Sequence, residues 1–173
     1  GNLFISNTAP TNTMTATVFC GSNTCTGAAG AAAGTRSTLL FADGANWAGT
    51  VVANGCVGLT GAADASAPAT VTFGAIQLDG EFPVRIWKNG GVATNDVVNI
   101  TGTCAGIGRI VGMPMDGYVP QLGDTFTLGT YPANTELPPQ RGKWSVVAVA
   151  TSDPEKILLK LRYAPKGTIV SCF

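Results

Sequence analysis

The sequence has no histidine, few charged side chains and no long apolar run. Without histidine there is no imidazole general base, no imidazole metal ligand and no Ser-His or Cys-His dyad. Most hydrolytic and metal-dependent chemistries are disfavoured at once, and no catalytic centre, metal or cofactor is expected. Charged residues make up only 12% of the 173, about half the roughly 25% usual in globular domains, and ten bases cancel ten acids. A neutral surface leaves nothing to neutralise a phosphate backbone, so nucleic acid is not an expected partner. No stretch approaches the roughly 18 apolar residues of a membrane-spanning helix, and Val146 to Ala150 is strand-sized.

What fills the deficit is small and turn-forming: 23 glycines, with abundant Ala, Thr and Asn. The opening Gly1, with no basic and apolar leader before it, reads as a processed or excised segment of an exported protein. Five cysteines in such a chain form at most two internal disulfides. Cys20 and Cys25 are close enough in sequence to close a small loop, and Cys172 is the candidate for a thiol paired between subunits. Scattered cysteines without C-x-x-C spacing do not read as structural zinc.

Residues 1–35 carry no charged side chain. Within them Leu3, Phe4 and Ile5, and Thr15 to Phe19 including Val18, are β-prone, and neutral β-prone edges aggregate unless they are covered. This segment is therefore read as strands docking between subunits, ahead of a second unit from 36 to 173. From 36 onward short β-branched and aromatic runs alternate with Asp43-Gly44, Asn54-Gly55, Asp79-Gly80, Asn89-Gly90-Gly91 and Asp116-Gly117. The expected strands are Thr38 to Phe41, Gly49 to Val52, Val57 to Leu59, Val71 to Phe73, Ile76 to Leu78 and Phe82 to Trp87. They continue with Val97 to Ile100, Ile107 to Val111, Thr125 to Leu128, Trp144 to Val149 and Ile157 to Tyr163. No window has helical periodicity outside the Ala-rich Gly27 to Gly34. The fold is expected to be all-β, a parallel β-helix (β-solenoid) or alternatively a β-sandwich or jelly roll. Small and β-branched residues suit a narrow coil, and Ser37 to Gly44 echoes Ala53 to Gly61.

The run Asn46-Trp47-Ala48-Gly49-Thr50-Val51-Val52-Ala53-Asn54-Gly55 resembles the autotransporter-associated β-strand repeats of bacterial surface proteins. Asp96 to Gly102, then Gly123-Asp124-Thr125-Phe126-Thr127-Leu128, then Trp144-Ser145-Val146 is similar in order and spacing to the end of such passengers. The resemblance covers about residues 37–163 and implies a secreted or cell-surface right-handed β-helix used for scaffolding, adhesion or assembly.

Two chemical constellations stand against a purely structural role. Asp79 and Glu81, two apart in a strand, with Arg85 and Lys88 nearby, form the acid–base set of a polysaccharide-processing enzyme, or else a turn aspartate and a solvated charged face. Asp96, Asp116 and Asp124 sit at turns and need no metal. Trp47 and Trp87, with Trp144, Tyr118, Tyr131 and Tyr163, are candidates for stacking on sugar rings, or else they fill the core. Asn99-Ile100-Thr101 fits an N-glycosylation acceptor. Residues 136–173 hold three acids and six bases, so a neutral first end and a basic last end suggest head-to-tail self-association into a homo-oligomer, filament or array. In that reading the last strand, with Ile157, Leu159 and Leu161, pairs with the first strands of another copy. Carbohydrate binding, with a surface polysaccharide as partner, and a virion surface protein are the alternatives.

Overall fold

The computed structural model describes residues 3–5, 18–20, 38–53, 56–60, 67–89, 91–138 and 142–165. The protein is all-β, with no helix among these residues. Its strands are β1 (Leu3–Ile5), β2 (Val18–Cys20), β3 (Thr38–Ala42), β4 (Asn46–Ala53), β5 (Cys56–Thr60) and β6 (Thr70–Asn89). After them come β7 (Val92–Asn95), β8 (Val97–Ile100), β9 (Cys104–Pro114), β10 (Thr125–Pro132), β11 (Trp144–Ala150) and β12 (Lys156–Tyr163).

β1 to β9 form one mixed sheet dominated by parallel pairs. In one file Leu3 lies beside Leu39, Leu39 beside Val57, Cys56 beside Glu81 and Glu81 beside Arg109. In a second file Val18 lies beside Val51, Val51 beside Ile76 and Ile76 beside Cys104. From β4 onward each step advances the chain by about 25–28 residues. The two segments with the sequence echo, around β3 and β5, are direct register partners. β6 runs through both files: its first half pairs with β4, β8 and β9, its second with β5 and β9. The Asp79-Gly80 dipeptide, expected as a turn between strands, is a corner within this single 20-residue strand. Gly108, at φ 58°, stacks on that corner, where an added Cβ would lie 2.4 Å from the Gly80 carbonyl oxygen. Among the described strands of this sheet β7 alone is antiparallel, folding back on the end of β6.

β10, β12 and β11 make a separate antiparallel sheet in that order. Its inner residues Phe126, Leu128, Tyr131, Val146, Leu159 and Leu161 join Phe41, Phe73, Leu78, Ile86 and Ile100 in one buried core. The sheet sits on the last strands of the parallel ladder. Gly129, in a β-bulge at φ 138°, brings β10 so close to β8 that an added Cβ would lie 1.9 Å from the Val98 carbonyl oxygen. The Thr130 N–H donates to Asn99 Oδ1 at 3.0 Å, Asn95 Nδ2 donates to the Thr127 carbonyl at 2.7 Å, and Lys156 Nζ donates to the Thr101 carbonyl at 2.8 Å.

This arrangement corrects the role expected for the last strand. β12 is the middle strand of its sheet, bonded to β10 on one edge and β11 on the other, so Ile157, Leu159 and Leu161 have no free backbone edge to offer another copy. Leu159 and Leu161 are instead fully buried. β1 and β2 stand at the two ends of the strand order, paired within the chain to β3 and β4.

Candidate functional site

Of the expected acid–base set, Glu81, Arg85 and Lys88 have structural partners among the described residues. Arg85 is buried, 2% exposed, as is Asp96 at 1%, which corrects the expectation that Arg85 decorates a solvated face. Arg85 Nε donates to Asp96 Oδ2 at 2.8 Å and its terminal nitrogen donates to Oδ1 at 2.8 Å. The backbone N–H groups of Arg85 and Ala69 complete the carboxylate's partners at 3.1 and 2.9 Å. Four donors on one carboxylate are what a buried charge requires. Asp43 does a similar task at the neighbouring corner, accepting from the Thr70 N–H at 2.7 Å. Residues 69 and 70 are thus held between two aspartates, one from the preceding loop and one from the following strand pair.

Glu81 is engaged by Arg109, its register partner on β9, rather than by Arg85 or Lys88. Lys88 is exposed and sits 5.8 Å from the centroid of the Tyr118 ring. The Tyr118 hydroxyl donates to Asp124, which also accepts the Gln121 N–H at 2.8 Å. These two donors hold the Asp124 carboxyl below its ordinary range, the tyrosine bond first. Burial, reinforced by that carboxylate, pushes the Tyr118 hydroxyl up. Asp116 (φ 50°) and Gly117 (φ 73°) are the central pair of a turn closed by the Tyr118 N–H on the Met115 carbonyl at 2.9 Å. The turn reading fits Asp116 and Asp124, whereas Asp96 is the buried partner of Arg85; among the described residues there is no group of three or more Cys, Asp or Glu side chains that could hold a metal ion. The Asp79 side chain lies outside the described residues.

The aromatic platform is corrected by burial. Trp47 is 2% exposed, with Phe41 edge-on to it at 6.4 Å, and Trp87 is 5% exposed, with the Arg85 guanidinium 5.0 Å above its ring. Neither offers a face to a sugar. Large aromatics next to a coil of small residues fill its core, and here they do so with both indole N–H groups unpaired. Trp144 is different. It is half-buried, edge-to-face with Phe126 and Tyr163 at 6.2 and 4.9 Å. Its indole lies over Gly112, where an added Cβ would lie 2.5 Å from the ring. Beside it opens a cavity of about 250 Å³ lined by Arg109, Ile110, Val111, Gly142, Lys143 and Trp144. Lys143 is one of the six bases of residues 136–173, but no spacing signal joins it to Arg109: β9 and β11 meet because the second sheet folds back.

Cys104 is a free thiol, half-buried, and burial pushes its pKa up against the opposing effects of Thr135 and the Gly106 backbone. The expected Cys20–Cys25 disulfide and the intersubunit thiol Cys172 fall outside the side chains described. Asn99 of the acceptor pattern is half-buried and its side-chain oxygen is bound by Thr130.

Searches against protein-family models and curated proteins return no match for this chain.

Proposed function

We propose that the parallel ladder is a right-handed β-helix and that the protein is an extracellular or cell-surface structural module acting by self-association or adhesion. The observation that carries the reading is the difference between the two ends of the ladder. At one end the antiparallel sheet covers β8 and β9 with hydrogen bonds and buried side chains. At the other, β1 and β2 are paired to β3 and β4 and end the strand order, in a segment of sequence without charge. Among the described strands none pairs with the outer edges of β1 and β2, and extended backbone left with free N–H and C=O groups seeks another strand. Because β12 is occupied on both edges, association runs through β1 and β2 and not from head to tail through the last strand. The steady register step supports the helix, since each coil adds one strand to each file.

The test is mass measured by light scattering over a range of concentrations, for the protein and for a Phe4→Pro/Phe19→Pro variant. The expected result is a mass that rises with concentration and stays monomeric in the variant, because proline removes a backbone donor from each edge. A wild-type protein that is monomeric throughout sinks the self-association reading.

A further inference from the structure

We propose that the cleft beneath Trp144 binds an acidic sugar unit of an anionic polysaccharide. This inference concerns the covered end of the ladder and stands or falls separately from self-association through β1 and β2.

The cleft combines what such a unit needs. The half-buried indole is fixed by contact with Gly112 and by T-shaped packing with Phe126 and Tyr163, so the aromatic ring is held in place before any ligand arrives, and little ordering is required on binding. Two cations flank it. Arg109 shares its charge with Glu81, but its side chain remains 50% exposed. Lys143 is exposed, with no ion pair or side-chain hydrogen bond among the described residues. No carboxylate lines the cleft, so Glu81 offsets Arg109 and one positive charge is left over. A volume of about 250 Å³ is below the roughly 300–1,000 Å³ of drug-sized pockets and suits a single ring. An indole to meet the apolar C–H face of a sugar, with a cation to meet its carboxylate, selects an acidic sugar over a neutral one.

The neighbouring sheet favours a polymer over a free monomer. β12 alternates buried Leu159 and Leu161 with outward Lys160 and Arg162. The outward pair is flanked in register by Thr125 and Ser145, and by Thr127 and Val147. Those two rows lie on the outer face of the sheet, opposite the face that carries Trp144 and Val146, and hold two cations, three hydroxyls and no acid, a field that attracts anionic units running past the β11 edge. With ten bases against ten acids over the whole chain, this local excess is too small for the extended phosphate track of a nucleic acid.

The experiment is titration of the intact protein with trigalacturonate, followed by calorimetry and by tryptophan fluorescence. Trp47 and Trp87 are buried, so a change in emission on binding reports Trp144. Saturable binding is expected, with neutral trigalactose binding about tenfold or more weakly. Lys143→Glu should lower trigalacturonate affinity by a similar factor at an unchanged thermal midpoint, and Lys143→Arg should restore most of it. Absence of saturable trigalacturonate binding overturns the proposal, as does equal binding of the neutral trimer or an affinity indifferent to Lys143→Glu. It is likewise overturned if phosphatidylglycerol vesicles bind through Lys143 while trigalacturonate does not.

Discussion

The Arg85 guanidinium donates twice to the Asp96 carboxylate, which also accepts the Ala69 and Arg85 backbone N–H groups, and both charges are buried. A buried ion pair adds little net stability over a well-packed apolar pair, but removing one partner typically costs about 3–5 kcal/mol. Asp96→Ala is therefore expected to lower the thermal midpoint sharply, whereas Glu81→Ala, at the half-exposed pair with Arg109, should shift stability by roughly 0–1 kcal/mol. Thermal melts of the two variants compare them directly. Asp124 permits a pH test. Its folded pKa lies below the unfolded value, so its contribution is present above about pH 4 and is lost as the pH falls through the folded value. The stability difference between wild type and Asp124→Asn should accordingly shrink on acidification, and it should be small throughout because the group is solvent-accessible. Cys104, with its thiol pushed up by burial, should be alkylated at neutral pH more slowly than a free cysteine. Peptide mapping after timed labelling reads that rate. These roles were only partly legible in sequence: Asp96 and Asp116 could be read as turn residues, but the burial of Arg85 depends on a fold contact that no local pattern encodes.

Strands obey local rules, and most were legible. Thr38 to Phe41, Val97 to Ile100 and Ile157 to Tyr163 end within a residue of their observed bounds, because β-branched runs closed by Gly and Asp set them. Three short runs from Val71 to Trp87 form one strand: register pairing to the neighbours lapses across Asp79 and Gly80 and resumes at Glu81, and composition cannot separate such a lapse from a turn. Partner choice was equally hidden. That β12 lies between β10 and β11 is set by which strands meet in the fold and by no local pattern, and the bulge at Gly129 has no sequence signature beyond the glycine itself. Gly129 thus bears on docking between elements. Gly129→Ala should destabilise by about 2 kcal/mol or more, since its φ of 138° and the Val98 carbonyl both oppose a side chain. Urea unfolding measures the loss, and a variant as stable as wild type would show that β10 sits further from β8 than described.

At the scale of the molecule, the two hairpins β6–β7 and β11–β12 stand apart from the other pairings, β10–β12 included, in how close in sequence their partners lie. Parallel partners in the ladder are separated by about 25 residues or more from β4 onward, whereas Ala150 faces Ile157 across a short hairpin. Short-range pairs close fastest, and long loops delay the rest. The β11–β12 hairpin, with seven register pairs against four in β6–β7, is therefore the longest local pairing able to organise by itself, and it comes from the last of the described strands to leave the ribosome. Synthesis and local commitment run in opposite directions along this chain: its early strands emerge before their partners exist, and the longest locally closed pair arrives only when translation of the final hairpin is done.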